Sequence, residues 1–175
     1  MSRPMAVKAL RAKSVWMFLL VCLQLLAVGN VSLAAGEIEL PFASDFVADG
    51  RISKNIDAPI LLYFSAPDCR YCMQLEEAVL KPMLRSGDYD GRVLLRKIDW
   101  RSAVQVRDFA GERIASSGLA ESYEVKVTPT LVFVDSSGRE IARRILGFRS
   151  ADFYWYYLDQ RIKESRVAIK AESAK

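Results

Sequence analysis

The sequence predicts an α/β fold: a mixed four-stranded sheet with helices packed on both faces. Three observations predict it. A continuous apolar run, Ile60-Leu61-Leu62-Tyr63-Phe64, lies between Pro59 and Pro67. Helical and strand-like patterns alternate after it, and a tight turn, Asp135-Ser136-Ser137-Gly138, separates the last two strands. A strand apolar at every position suits a sheet covered on both sides. Alternating strands and helices favour parallel pairing, whereas the Gly138 turn forces one antiparallel pair.

Taken in order, residues 35–58 are mixed and polar. A short helix around Ser44 to Val47, capped by Ser44, is expected to be limited by Gly50 and by the turn Asp57-Ala58-Pro59. After the first strand, Asp68 can cap a helix from Cys69 to about Leu80, with Leu75, Ala78 and Val79 at helical spacing. Pro82 disfavours helical geometry at Lys81, so the helix is predicted to stop there. A turn at Ser86-Gly87-Asp88 leads to a second strand, Val93 to Ile98. Val104 to Ile114, with Gly111 in a turn, reads as an inserted hairpin, and Leu119, Ala120 and Tyr123 fit a short helix. Thr130 to Val134 and Glu140 to Leu146 are the last strands, on either side of the tight turn. Ser150 then caps a final helix whose apolar face is Tyr154, Tyr157, Leu158 and Ile162.

The chain has 175 residues, enough for one domain plus a small addition. The expected division is a leader at 1–34, an N-terminal extension at 35–55, a folded domain at 56–165 and a tail at 166–175. The leader follows from basic residues Arg3, Lys8, Arg11 and Lys13, an uncharged apolar stretch from Val15 to Val28, and the small residues of Ser32-Leu33-Ala34, with cleavage after Ala34. That stretch is short for a bilayer span, which takes about 20 residues. A retained signal anchor is the alternative. The leader holds four of the 25 basic residues and no acidic one, leaving 21 basic against 21 acidic. The basic isoelectric point therefore belongs to the leader, and nucleic acid is not expected as a partner.

Cys22 would leave with the leader, so the mature chain keeps Cys69 and Cys72, spaced C-x-x-C. A loop that small does little to staple a domain, which favours a chemical role. A cysteine in a helix's first turn meets unpaired N–H groups and the positive end of the dipole, and both favour thiolate. Cys69 is thus read as the attacking nucleophile, and Cys72, one turn further in, as the thiol that resolves the mixed disulfide. Arg70 favours the Cys69 thiolate and Asp68 opposes it, making both tuning residues together with Tyr71. Zinc needs four ligands, and the chain has neither histidine nor a second cysteine pair, so no metal site is expected. Pro129, in Val127-Thr128-Pro129-Thr130, directly precedes a core-like strand, where proline marks an edge, a bulge or a cis bond. Phe153-Tyr154-Trp155-Tyr156-Tyr157 is too dense for one helix face to bury completely, leaving Trp155 or Tyr156 off the core side.

Together these features resemble the thioredoxin superfamily, and more closely its exported thioredoxin-like members, including those associated with bacterial sulfur oxidation. The resemblance runs from about Ile56 to Ile162. It rests on L-L-Y-F-S-A-P-D, C-R-Y-C, V-T-P-T-L-V-F-V-D with its turn S-S-G, and Gly147 before the last helix. It implies a thioredoxin-like three-layer sandwich in which Pro129 is cis and lies beside Cys69, with Thr128 presenting backbone groups to a substrate chain. Tyr71 gives a local similarity to the glutaredoxin-type dipeptide. Two residues depart from the ordinary thioredoxin pattern. Tyr63 stands where a buried aspartate is found, so proton transfer at Cys72 needs water or another group, and Asp68 replaces a tryptophan.

The expected function is an exported, periplasmic dithiol-disulfide oxidoreductase without an organic cofactor. It is read as a monomer acting on exported protein thiols or disulfides, leaning toward reduction and supplied with electrons by a membrane protein. Two alternatives stay open: a thioredoxin-fold binding or chaperone module whose disulfide is not turned over, and copper delivery through two thiolates.

Overall fold

Side chains along a strand alternate between the two faces of a sheet, and in the first strand both faces are apolar. The structure, a computed structural model, describes residues 37–173. The leader, its cleavage point and Cys22 lie outside the described residues. Strand β1 (Ile60–Ser65) is buried throughout. Leu61 and Tyr63 enter one core with Leu75, Val79, Leu80, Leu131 and Leu158. Ile60, Leu62 and Phe64 enter the other with Phe46, Ile98, Leu119 and Val132. The remaining strands of the main sheet are β2 (Leu94–Asp99), β5 (Thr130–Val134) and β6 (Glu140–Leu146). Their spatial order is β2-β1-β5-β6, with β1 parallel to β2 and the other neighbours antiparallel. The mixed four-stranded sheet between helices is the predicted fold. β3 (Gln105–Arg107) and β4 (Arg113–Ala115) form the inserted hairpin, and α4 (Ser116–Ser122) follows it.

Three helices depart from the sequence reading. The first, α1 (Phe46–Ile56), is capped by Asp45 rather than Ser44; the Asp45 carboxylate accepts the Ala48 N–H at 2.9 Å. It runs straight through Gly50, because Gly50 serves a close approach and not a turn: a Cβ there would lie 2.4 Å from the Ser136 carbonyl oxygen. Phe46 is fully buried in the second core, so the stretch expected as an extension contributes to the folded body.

The second departure is the cysteine helix, which does not end before Pro82. It begins as α2 (Arg70–Leu75), widens to π geometry over Glu76–Leu80 and resumes as α3 (Lys81–Ser86). Proline within a plain α-helix clashes with the carbonyl four residues earlier and lacks the N–H to bond it. The wider turn relieves that conflict, as the Lys81 N–H reaches back to the Glu76 carbonyl. Gly87, at φ 72°, closes the helix in the left-handed region.

The last helix, α5 (Tyr154–Ser173), starts four residues after the expected Ser150 cap, and the Ala151 carbonyl accepts the Tyr154 N–H. Tyr154, Leu158, Ile162 and Ser165 form its buried stripe. Tyr157 falls on the flank of that stripe and is 50% exposed, while Trp155 is partly buried against Tyr89. The helix continues beyond the boundary expected at 165. Among the described residues, no helix is long and apolar enough to cross a membrane.

Candidate active site

Strand β1 delivers the cysteines to the carboxyl end of the sheet, where α/β folds place their chemistry. After Ser65 the chain turns through Ala66-Pro67-Asp68, and the Cys69 N–H donates to the Ala66 carbonyl at 3.3 Å. Cys69 itself, not Asp68, is the N-cap of α2: its backbone is extended and its Sγ accepts the Cys72 N–H at 3.1 Å. A sulfur in that position meets helix-end N–H groups directly, and the dipole of the continuous helix favours negative charge on it. The two cysteines are joined as a disulfide, with an S–S distance of 2.09 Å and Cα atoms 5.1 Å apart. Cys72 is 1% exposed, whereas Cys69 is only partly covered. That asymmetry allows an outside thiol to reach Cys69 while Cys72 stays screened. Asp68, Arg70 and Tyr71 are exposed around it.

The Thr128–Pro129 peptide is cis. Pro129 is buried, and its carbonyl accepts the Gly147 N–H at 2.7 Å. The Thr130 hydroxyl donates to the Val127 carbonyl at 2.7 Å, tying the loop to the start of β5. Thr128 and Cys69 thereby line one open hollow of about 580 Å³, whose wall also includes Asp68, Arg70, Tyr71, Trp100 and Arg101. Trp100 and Arg101 did not emerge from the sequence reading. The signal was available, since β2 runs parallel to β1 and its carboxyl end must emerge beside the cysteines. The Arg101 guanidinium lies 5.0 Å above the Trp100 ring.

Beneath the cysteines, Tyr63 occupies the position six residues before Cys69 and is fully buried. Its hydroxyl is 2.9 Å from Glu76 Oε1, 3.2 Å from Ser65 Oγ and 3.3 Å from the Cys72 carbonyl oxygen. Burial, joined by the neighbouring Glu76 carboxylate and only partly offset by the Ser65 hydroxyl, pushes its ionisation well above the usual tyrosine range. Lys97 Nζ reaches the same Oε1 at 2.7 Å. The Phe42 ring sits 5.4 Å from that ammonium, because residues 41–43 run along β2: the Lys97 N–H donates to the Pro41 carbonyl and the Ala43 N–H to the Lys97 carbonyl. Neither Glu76 nor Lys97 was foreseen.

Residues 49–162 match the family model described as a thioredoxin-like domain. The chain belongs to the thioredoxin-like family. Within it, this thioredoxin-like chain is 29% identical over 158 residues to a protein disulfide-isomerase of Ricinus communis. The match takes in 87% of this chain and 29% of that much longer relative. Among solved structures, an oxidoreductase named DsbH aligns with a TM-score of 0.53 at 18% identity, covering 77% of this chain and 93% of that one. The periplasmic thioredoxin SoxS of Paracoccus pantotrophus aligns with a TM-score of 0.44 at 21% identity, covering 61% and 98% respectively.

Proposed function

We propose that this thioredoxin-like protein is an exported thiol-disulfide oxidoreductase of the periplasm that acts as a monomer on protein substrates, with reduction as its net direction. The observation that carries the reading is Cys69 capping the cysteine helix at the edge of an open hollow, with Cys72 screened behind it. In the reduced protein the Cys69 thiolate attacks a substrate disulfide. A bond forms between Cys69 Sγ and one substrate sulfur, and the other leaves as thiolate with the electron pair. Cys72 then attacks Cys69, the mixed disulfide breaks, and the substrate departs with two thiols while the protein keeps the Cys69–Cys72 disulfide. Thr128 and Pro129 would hold the substrate chain in line, a positioning contribution to the attack. Asp68 and Arg70 flank the nucleophile with opposite charges, and with Tyr71 they tune it and its contacts.

The basic, apolar and small-residue order of positions 1–34 supports export. The periplasm lacks a glutathione buffer, so a reductase there draws its electrons from a membrane protein. Cys69→Ser is expected to abolish both insulin-disulfide reduction and thiol oxidation. Unchanged activity in both assays overturns the reading. Cys72→Ser should accumulate mixed disulfides at Cys69 whose partners mass spectrometry can identify.

A further inference from the structure

We propose that Glu76 accepts the proton of the Cys72 thiol as Cys72 attacks the mixed disulfide on Cys69, an inference that rests on the oxidoreductase reading above. Residues four apart on a helix lie on one face, so Glu76 stands one turn below Cys72 on the side turned toward the sheet. Three donors converge on a single oxygen of its carboxylate: Lys97 at 2.7 Å, Tyr63 at 2.9 Å and Ser65 at 3.4 Å, all to Oε1. Among the described residues Oε2 has no such partner, so the carboxylate is held firmly by one oxygen and keeps the other uncommitted. Tyr63 also reaches the Cys72 carbonyl at 3.3 Å, linking the network to the cysteine's own backbone.

A buried thiol is ordinarily protonated at neutral pH, and Tyr63 cannot serve as its base because its hydroxyl stays protonated. The charged and titratable groups around Glu76 are Tyr63 from β1, Lys97 from β2 and Cys72 on its own helix, while Tyr154 of α5 acts electrostatically on Tyr63. Glu76 is the carboxylate among them. In the step, the Cys72 S–H bond breaks and its proton passes to Glu76. The sulfur's electron pair forms the bond to Cys69 Sγ, and the substrate sulfur leaves with the pair of the broken disulfide. No further oxidant or reductant is required.

The experiment mixes the full-length reduced protein with an aromatic disulfide reagent that releases a coloured thiolate, and follows release by stopped flow. The first burst reports attack by Cys69 and the second reports resolution by Cys72. Cys72→Ser should abolish only the second. Glu76→Gln should leave the first burst unchanged and slow the second on the order of tenfold at about pH 6, with the gap closing toward about pH 9 as the thiol ionises without help. An unaltered second phase, or one slowed equally at every pH, overturns the assignment of Glu76. A wild-type protein without the first burst overturns the oxidoreductase reading instead. If Glu76→Gln does not fold, Glu76→Asp carries the test: the carboxylate is set back by one methylene, and slowing must again be greater at the acid end. Equal slowing at both ends overturns the proposal.

Discussion

Arg96 and Lys97 are neighbours on β2, yet they point to opposite faces of the sheet and serve two different ion pairs. Arg96 meets Asp49 of α1 with both ends of its guanidinium, Nε to Oδ2 at 2.9 Å and Nη2 to Oδ1 at 2.6 Å. That pair uses both carboxylate oxygens and contacts neither cysteine. Lys97 meets Glu76 at one oxygen, shares it with Tyr63 and Ser65, and lies beneath Cys72. The first pair is a clamp between a helix and the sheet; the second leaves part of its carboxylate unused beside the reacting sulfurs. The difference teaches that partial burial alone does not mark a functional ion pair. An uncommitted oxygen on the cysteine side does.

The largest expected stability effect tests the clamp. Asp49→Ala strands the Arg96 charge in a mostly buried place and should lower unfolding free energy by about 3 kcal/mol, read from denaturant midpoints. The rates of both thiolate-release phases should stay as in the wild type. A slowed resolving phase would erase the contrast between the two pairs. Tyr63→Phe keeps the ring and removes one hydroxyl, so it should cost about 1 kcal/mol. Glu76 would still be held by Lys97, and retention of the pH profile of the second phase would show that the hydroxyl is support and not the acceptor. Phe42→Ala uncovers Lys97 and should cost about 0.5 kcal/mol, with its effect diminishing as salt is raised.

The smallest expected effect concerns a carboxylate remote from both pairs. Burial raises the pKa of Asp135, but hydrogen bonds from the Ser137 hydroxyl and N–H and from Arg139 outweigh it and hold the carboxyl below its ordinary value. A folded-state pKa below the unfolded one adds stability above the ordinary carboxylate range, and that stability is lost as pH falls through the folded value. Asp135→Asn should therefore flatten the acid side of the stability profile and leave thiol kinetics untouched, a comparison made by thermal unfolding across pH.

What could be read from the sequence was what local chemistry decides. The turn residues Asp135 to Gly138 fix the ends of β5 and β6, and both strands have the expected limits. The spacing of Cys69 and Cys72 places them in one helical turn whatever surrounds them. The Asp45 cap was missed because Ser44 and Asp45 are adjacent residues that both favour that position, and the backbone chooses between them. The helix end at Pro82 was misplaced because a sound local rule yields to a widened turn. Glu76 and Lys97 were missed for a different reason: they lie 21 positions apart, and only the pairing of β1 with β2, Tyr63 opposite Lys97, brings the lysine under the helix. Their meeting is a property of tertiary structure, with no pattern along the chain to announce it.

The widened turn at Glu76–Leu80 makes residue number and angular phase part company within one helix. Each residue of an ordinary helix advances the chain by about 100°, so removing one position from this stretch would wind it back to regular pitch and rotate all that follows. Met83, now in the core, would swing away from it, while Cys72, upstream, would keep its orientation. A shortened chain should therefore retain its reactive end and lose its packing beyond Leu80, which makes this stretch a boundary between the part of the helix that serves the sulfurs and the part that serves the core.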